Sequence, residues 1–229
     1  RTGHTSWTLT EIDFTDGPYL SENTTSTTLT PSGTSGNVNI TASASTFAAT
    51  DVGRLVSFSN GRAKITGFTS ATVVAATTQD DFDNTNAVTA WKLGAFSGTT
   101  GHPSCVSFFE QRLVFAGTSS EPQTLYFSKA GDYENMTSGT NADDAMVYTI
   151  ASNQVNRIRY LKSQRTLIVG TTGGEFTVSA DGTDAAITPT NIVIKKQSSY
   201  GTANVDAQPA GSSILFLQKA KRKIRELTY

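Results

Sequence analysis

A recurring β-rich phrase is the feature that most constrains the fold of this chain. "QRLVFAGTSSEPQTLYFS" occupies residues 111–128, and the similar "QRTLIVGTTGGEFTVS" occupies residues 164–179. Aligning Ala116 with Val169 sets an offset of 53 residues, and each copy has an Arg, a short apolar strand, a Gly-Thr turn and a second strand. A looser copy at 212–227 begins 48 residues after the second. Repeats of about 50 residues with several strands each predict propeller blades, whose small sheets are covered by their neighbours.

The rest of the chain divides around this repeat. Residues 1–36 hold one candidate strand at 6–14, whose Trp7, Leu9 and Ile12 do not alternate cleanly, and then a Ser/Thr-rich linker or surface loop at 21–36. Residues 37–98 are expected to form a small β-barrel or sandwich, and an Asn-Gly step at 60–61 indicates a hairpin. Its five candidate strands are "NVNITAS", "RLVSFS", "AKITGFT", "TVVAATT" and "VTAWKLGAF".

The predicted fold class is all-β, because apolar residues fall in short runs rich in Val, Ile, Phe and Tyr and helical spacing is almost absent. Residues 99–229 supply up to three blade-like units beside the barrel domain. A closed propeller generally needs about four or more blades. The region is therefore expected to be a partial β-propeller from a longer chain, or an open β structure that only resembles blades.

Composition excludes several classes of function. The 229 residues hold 18 basic and 19 acidic side chains, so net charge gives no reason to expect strong binding to nucleic acid or anionic membrane. A single cysteine, Cys105, excludes an internal disulfide and a Cys-based zinc site. No apolar run approaches the roughly 20 residues of a membrane-spanning helix, so a soluble protein is expected.

Candidate catalytic and metal-binding residues are few. His4 and His102 lie in polar or turn-like stretches, and no metalloprotease, hydrolase or phosphate-loop motif is present. Asp80, Asp81 and Asp83 begin like a calcium loop but lack its later Gly and Glu, which favours a solvated hairpin. Asp143 and Asp144 would point to opposite faces of a strand. No catalytic residue, cofactor site or metal site is predicted.

Two further groups of residues have functional alternatives. The basic run 219–225, with Lys195 and Lys196 as a possible extension, is either a patch for phosphate groups or a solvated turn. The turn is favoured because the run contains no aromatic residue for base stacking. Five aromatic side chains could form a sugar-binding platform, although most are expected in packing roles. They are Trp7, Trp91, Tyr126, Tyr133 and Tyr200.

Three phrases carry a family resemblance: "WTLTEIDFTDGPYL" at 7–20, "GHPSCVSFFEQRLVFAGTSSEPQTLYFSKAGDYENM" at 101–136, and "ILFLQKAKRKIRELTY" at 214–229. Together they resemble the tail tube or nozzle proteins of short-tailed bacteriophages and related prophages. The most specific part is P-x-x-V-x-F-F-E-Q-R-L-x-F-A-G-T at 103–118. Residues 49–76, with "AWKLGAFS" at 90–97, are similar to the small β-barrel inserted in many of those proteins.

The resemblance implies a structural virion protein and no enzyme. It implies a homo-oligomeric ring in the tail that contacts other tail proteins, on the adaptor or portal side and at the fibres, and that lets DNA pass without sequence-specific binding. It implies synthesis in the host cytoplasm and no cofactor, and because family proteins are longer, this chain would be a fragment or a shorter relative. Two other functions stay open: a tail module that binds host-surface glycans, and a polysaccharide hydrolase with a pair of carboxylates.

Overall fold

The chain is all-β, as its sequence predicts. The computed structural model describes residues 5, 7–8, 13–151, 154–182 and 185–228. Within these ranges the strands form four antiparallel sheets, and no helix there is long and apolar enough to cross a membrane.

The first sheet is a curled half-barrel of six strands in the order β1-β2-β5-β4-β3-β6. Its apolar core includes Ile40, Val56, Ile65 and Val74, and a backbone bridge between Leu29 and Val88 draws the region before β6 to the opposite edge. The strands are β1 (Leu29–Pro31), β2 (Asn37–Ala42), β3 (Leu55–Phe58), β4 (Gly61–Ser70), β5 (Val73–Asp80) and β6 (Trp91–Leu93), with one 3-10 turn at Ala49–Asp51.

The half-barrel begins earlier than the sequence suggests. The stretch 21–36, predicted as a linker or loop, contributes the edge strand β1, which pairs with β2. The reason is Leu29, which is completely buried in the half-barrel core. Pro31 is buried as well, so both inward-facing residues of this three-residue strand are covered.

The hairpin between β3 and β4 uses a different pair of turn residues from the predicted one. Ser59 and Asn60 carry the left-handed φ angles of 49° and 56°, which a two-residue hairpin of this kind requires. Gly61 belongs to β4 and is needed for space, since a Cβ there would lie 2.6 Å from the Asp81 carbonyl oxygen.

The other three sheets are small and blade-like. The first blade has the order β10-β9-β8-β7, the second β11-β12-β13-β14, and the third β15-β16-β17. The first comprises β7 (Cys105–Phe109), β8 (Arg112–Ala116), β9 (Thr124–Phe127) and β10 (Met146–Thr149). The second comprises β11 (Ile158–Ser163), β12 (Leu167–Thr171), β13 (Gly174–Ala180) and β14 (Ile192–Ser198). The third comprises β15 (Gln208–Ala210), β16 (Ser213–Leu217) and β17 (Ile224–Thr228).

The three blades stack face to face. Leu125 and Phe127 of the first blade share a core with Val169 and Phe176 of the second. The other face of the second blade packs Tyr160 and Ile168 against side chains of the third blade. The first strands of the two larger blades, β7 and β11, are neighbours, which is the arrangement of a propeller.

The repeated phrase corresponds to the second and third strands of successive blades: β8–β9, β12–β13 and, in the looser copy, β16–β17. One detail differs from the prediction. Gly117 and Thr118 follow β8 as a turn, whereas Gly170 and Thr171 lie inside β12 and the turn comes two residues later. Gly170 pairs with Tyr160 and Glu175 of the neighbouring strands, and the Tyr160 ring lies against it, within 2.1 Å of where a Cβ would stand.

The segment at 13–23 ties the half-barrel to the first blade. Phe14 packs against Phe96 and Phe115, and Asp16 accepts hydrogen bonds from the Tyr19 and Thr137 hydroxyls. The strand predicted at 6–14 falls mostly outside the described residues, including Leu9 and Ile12. Of the remainder, Trp7, Asp13 and Phe14 are not in a strand.

Candidate assembly surface

The outer face of the third blade exposes apolar side chains. Along β16, Ile214 and Phe216 face the second blade and are buried, whereas Leu215 points to the other side and is 38% exposed. On β17, Ile224 is 72% exposed and pairs across the strands with Leu217. Side chains alternate between the two faces of a strand, so these residues share the face that no described part of the chain covers. We call Leu215, Leu217 and Ile224 the distal face.

The first blade exposes a second apolar surface at the opposite end of the stack. Val106 and Phe108 on β7 are each 59% exposed, although Cys105 and Phe109 on the same strand are buried. The ring of Phe108 meets that of Tyr133 edge to face, with centroids 5.1 Å apart. We call Val106, Phe108 and Tyr133 the proximal face.

The proximal face is the uncovered part of a sheet whose remaining part is packed. Farther from β7, Phe115 and Tyr126 of the same blade lie under Phe96 and the segment at 13–23, with ring centroids 5.7 Å and 5.1 Å from Phe96. Burial raises the pKa of the Tyr126 hydroxyl to about 12. The packed region thus ends where Val106 and Phe108 begin.

Two of the acidic residues near 80–83 have partners within the protein. Asp80 contacts Arg62 at 2.6 Å, and Asp83 accepts a hydrogen bond from the Asn60 amide at 2.6 Å. Between them Phe82 turns inward and packs against Phe58 in the half-barrel core. Across the described ranges, no group of three or more His, Cys, Asp or Glu side chains is placed to hold a metal ion.

The other candidate catalytic residues that the structure describes lie in separate places. His102 lines a cavity of about 380 Å³ between the half-barrel and the first blade, while His4 lies outside the described residues. Asp143 and Asp144 lie in a turn, not in a strand, and both face Lys129. A hydrogen bond from the Asn141 backbone N–H to the Asp144 carboxylate, together with the nearby Lys129 ammonium, holds the pKa of Asp144 below its usual value.

A groove of about 970 Å³ opens between the first and second blades, and its lining includes Glu110 and Asp143. The Glu110 carboxylate accepts the Ile187 backbone N–H at 2.6 Å, and Asp143 lies 3.7 Å from Lys129. Both carboxylates therefore have structural partners. The groove lies where the ends of these two blades meet.

Neither a scan against protein-family models nor a search of curated proteins found a match to this chain.

The aromatic candidates have mixed positions. Tyr126 is buried and Trp91 is half-buried, with its indole N–H donated to the Thr27 carbonyl at 2.9 Å. Trp7, Tyr133 and Tyr200 are exposed in the single chain. Tyr133 belongs to the proximal face, whereas Tyr200 contacts Arg225 on the third blade. These two rings thus belong to different surfaces.

Sequence reasoning did not identify the proximal and distal faces. Period-two alternation separates Val106 and Phe108 from Cys105 and Phe109, but both sets are apolar. The run Ile214–Leu217 gives no alternation of polarity at all. Only the position of neighbouring sheets shows which set remains exposed.

Glu175 is a completely buried carboxylate at the corner between the second and third blades. It accepts a hydrogen bond from the Ser198 hydroxyl, and the nearby backbone of Tyr200 and Gly201 also favours its charged form. Its Oε1 atom is buried without a hydrogen-bond partner among the groups that the structure describes. Removing the Glu175 carboxylate from water raises its pKa by more than these contacts lower it, so the pKa of Glu175 lies above its usual value.

This raised pKa predicts a stability that falls with pH. The folded state holds the Glu175 proton more tightly than the unfolded chain does. The resulting contribution to the free energy of unfolding is fully present below about pH 4.3 and is lost as pH rises through the pKa of Glu175 in the folded state. We expect Glu175→Gln, which cannot ionise, to lack this loss. Urea unfolding of both proteins between about pH 4 and pH 8 measures the difference, with the exposed Glu226→Gln as control. A difference between Glu175→Gln and wild type that stays constant with pH would contradict the assignment.

Proposed function

We propose that this chain is a non-enzymatic structural protein of a short-tailed bacteriophage tail, a tube or nozzle component whose copies surround the conduit for DNA ejection. The resemblance of the phrases at 7–20, 101–136 and 214–229 supports this proposal, as does the combination of a half-barrel with propeller-like blades. The protein would be made in the host cytoplasm and located in the virion.

The observation that carries the proposal is the pair of apolar surfaces at the two ends of the blade stack. Small sheets are stable when both faces are covered, and exposed apolar patches mark interaction sites. The distal face exposes Leu215 and Ile224, and the proximal face exposes Val106 and Phe108. Because one surface lies at each end, copies joined proximal to distal would make a head-to-tail contact, and such a contact closes into a ring when the rotation allows it.

The rest of the molecule suits a scaffold. Most backbone polar groups of the blades are paired within sheets, and adjoining sheets cover one another, which favours resistance to proteolysis and force. The partners would be further copies, tail proteins on the adaptor or portal side and at the fibres, and DNA that passes without sequence-specific contacts. The net charge of −1 gives the chain as a whole no strong attraction for DNA.

Charged substitutions on the distal face test the assembly. We expect the purified chain to form discrete oligomers with a central channel, and the double variant Leu215→Glu/Ile224→Glu to be monomeric, because each carboxylate would be buried unpaired in the contact. Sedimentation velocity across a range of protein concentrations, with negative-stain images, measures this.

The matched control is Val155→Glu. Val155 is as exposed as Ile224, at 74%, but it lies in the connection between the first and second blades. It should leave the oligomer intact. A wild-type chain that is monomeric at the highest concentration, or oligomers equally disrupted by Val155→Glu, would count against the proposal.

A host-surface glycan module of the tail is the second candidate, favoured by the exposed rings of Trp7, Tyr133 and Tyr200. Saturable binding of purified protein to host envelope sugars, lost with Tyr133→Ala or Tyr200→Ala, would favour adhesion. A purely structural protein is expected to show no saturable binding to these sugars.

A further inference from the structure

The turn between β16 and β17 carries a dense group of basic side chains. Five of the seven residues at 219–225 are basic. Four of them are exposed, and no ion pair joins them to a described acidic residue. These four are Lys219, Lys221, Arg222 and Lys223.

The fold places an aromatic ring beside this turn, although the ring belongs to a residue that is distant in sequence. Tyr200 lies 25 positions before Arg225, yet the Arg225 guanidinium carbon stands 4.1 Å from the centroid of the Tyr200 ring. The guanidinium also donates from Nε to Gln218 Oε1 at 3.2 Å. Tyr200 remains 48% exposed, so this contact does not cover the ring.

Backbone contacts hold the ring and the turn in fixed positions. The Lys219 N–H donates to the Gly201 carbonyl at 2.9 Å, and the Gln218 N–H donates to the Lys223 carbonyl at 3.0 Å. Gly201 has φ of 67°, and a Cβ there would lie 2.4 Å from the Thr172 oxygen, so only glycine fits at this corner. The backbone of the turn is therefore held next to the corner that carries Tyr200, which reduces the entropy cost of bringing the two together on binding.

We propose that Lys219, Lys221, Arg222, Lys223, Arg225 and Tyr200 form a site for the phosphodiester backbone of DNA, independent of base sequence. Lysine ammonium groups bind phosphates as point charges, and an arginine stacked on a ring keeps the N–H groups at its edge free for phosphate. The half-exposed Tyr200 ring offers a stacking surface for an unpaired base.

The arrangement favours nucleic acid over a membrane surface. A membrane-binding patch combines cations with apolar side chains that enter the lipid. Here Arg225 pairs across the strands with Phe216, whereas the exposed Ile224 pairs with Leu217 and lies on the opposite face of the blade. Arg225 thus lies beside an aromatic ring, and the apolar side chains of the distal face point away from that ring.

This site goes beyond the proposed function, which requires only that DNA pass the protein. Binding is tested on the purified chain by fluorescence anisotropy with labelled single-stranded and duplex DNA of mixed sequence, at salt concentrations from about 25 to 200 mM. We expect Lys221→Gln/Lys223→Gln to weaken binding roughly tenfold at the lowest salt and to reduce the slope of log affinity against log salt by about 2. Tyr200→Ala should weaken single-strand binding at least about fivefold and duplex binding less.

Matched variants make the test specific. Lys64→Gln/Lys92→Gln removes the same charge from the half-barrel and should change affinity little, while Lys221→Arg/Lys223→Arg and Tyr200→Phe should retain binding. The proposal is overturned if DNA does not bind at the lowest salt, if the two double Gln variants lose equal affinity, or if anionic lipid vesicles bind and DNA does not. Failure here leaves the oligomer measurement unaffected, because the substituted residues lie outside the proximal and distal faces.

Discussion

Replacing Arg112 with alanine is expected to destabilise the protein by roughly 4 kcal/mol, because it removes a buried cation from a ring of backbone acceptors. The Arg112 guanidinium donates to the carbonyls of Ser128, Ala142 and Asp144 at 2.7–2.8 Å, and to that of Asp143 at 3.2 Å. These acceptors lie at the two ends of the connection between β9 and β10. Alanine would leave these backbone carbonyls without the guanidinium donor, and the connection between β9 and β10 would lose the hydrogen bonds that hold it to β8.

Arg165 provides the matched control, since it occupies the equivalent position in the second copy of the repeat, 53 residues later. It is exposed, so Arg165→Ala should cost no more than about 0.5 kcal/mol. Chemical unfolding of the wild type and both variants measures the two losses. Equal losses would mean that the carbonyl contacts of Arg112 contribute nothing particular to stability.

The second large effect is expected at Gly170, within β12. A Cβ at this position would lie 2.1 Å from the Tyr160 ring, and both residues are buried between the second and third blades. Gly170→Ala should therefore destabilise the protein by about 3 kcal/mol through overpacking. Thermal and urea unfolding measure the change.

Gly67 is the control for this substitution. It also lies within a strand, β4, but the nearest atom to an added Cβ there is the Ala75 Cβ at 3.6 Å, an ordinary contact. Gly67→Ala should be neutral or stabilising by up to about 1 kcal/mol, because alanine loses less conformational entropy on folding. Equal losses at both glycines would show that the Tyr160 contact is not what constrains Gly170.

The repeat illustrates how far sequence reasoning reaches at the level of single residues. It located the second and third strands of each blade, because runs such as Leu167–Val169 combine β-branched and apolar residues between turn signals. It treated Arg112 and Arg165 alike, although one is buried and the other exposed. The difference comes from the 128–144 connection folding over Arg112, a contact between distant parts of the chain.

The basic turn and the half-barrel core also depend on contacts between residues that are far apart in sequence. The basic run at 219–225 was visible in the sequence, but it was interpreted as a solvated turn because no aromatic residue lies within it. Tyr200 reaches Arg225 only through the corner at Gly201 and the pairing of the third blade. Similarly, Leu29 looked like an isolated apolar residue in a linker until the half-barrel core closed around it.

The sequence by itself determined the all-β class, the small barrel-like region and the recurrence of blade units, since strand formation depends on local propensity and on turn residues close in the chain. The tertiary structure alone decided which apolar strand faces are covered, which arginine is buried and which ring lies beside the basic turn. Burial depends on which sheet stacks against which, and that choice is made by contacts between residues far apart in sequence.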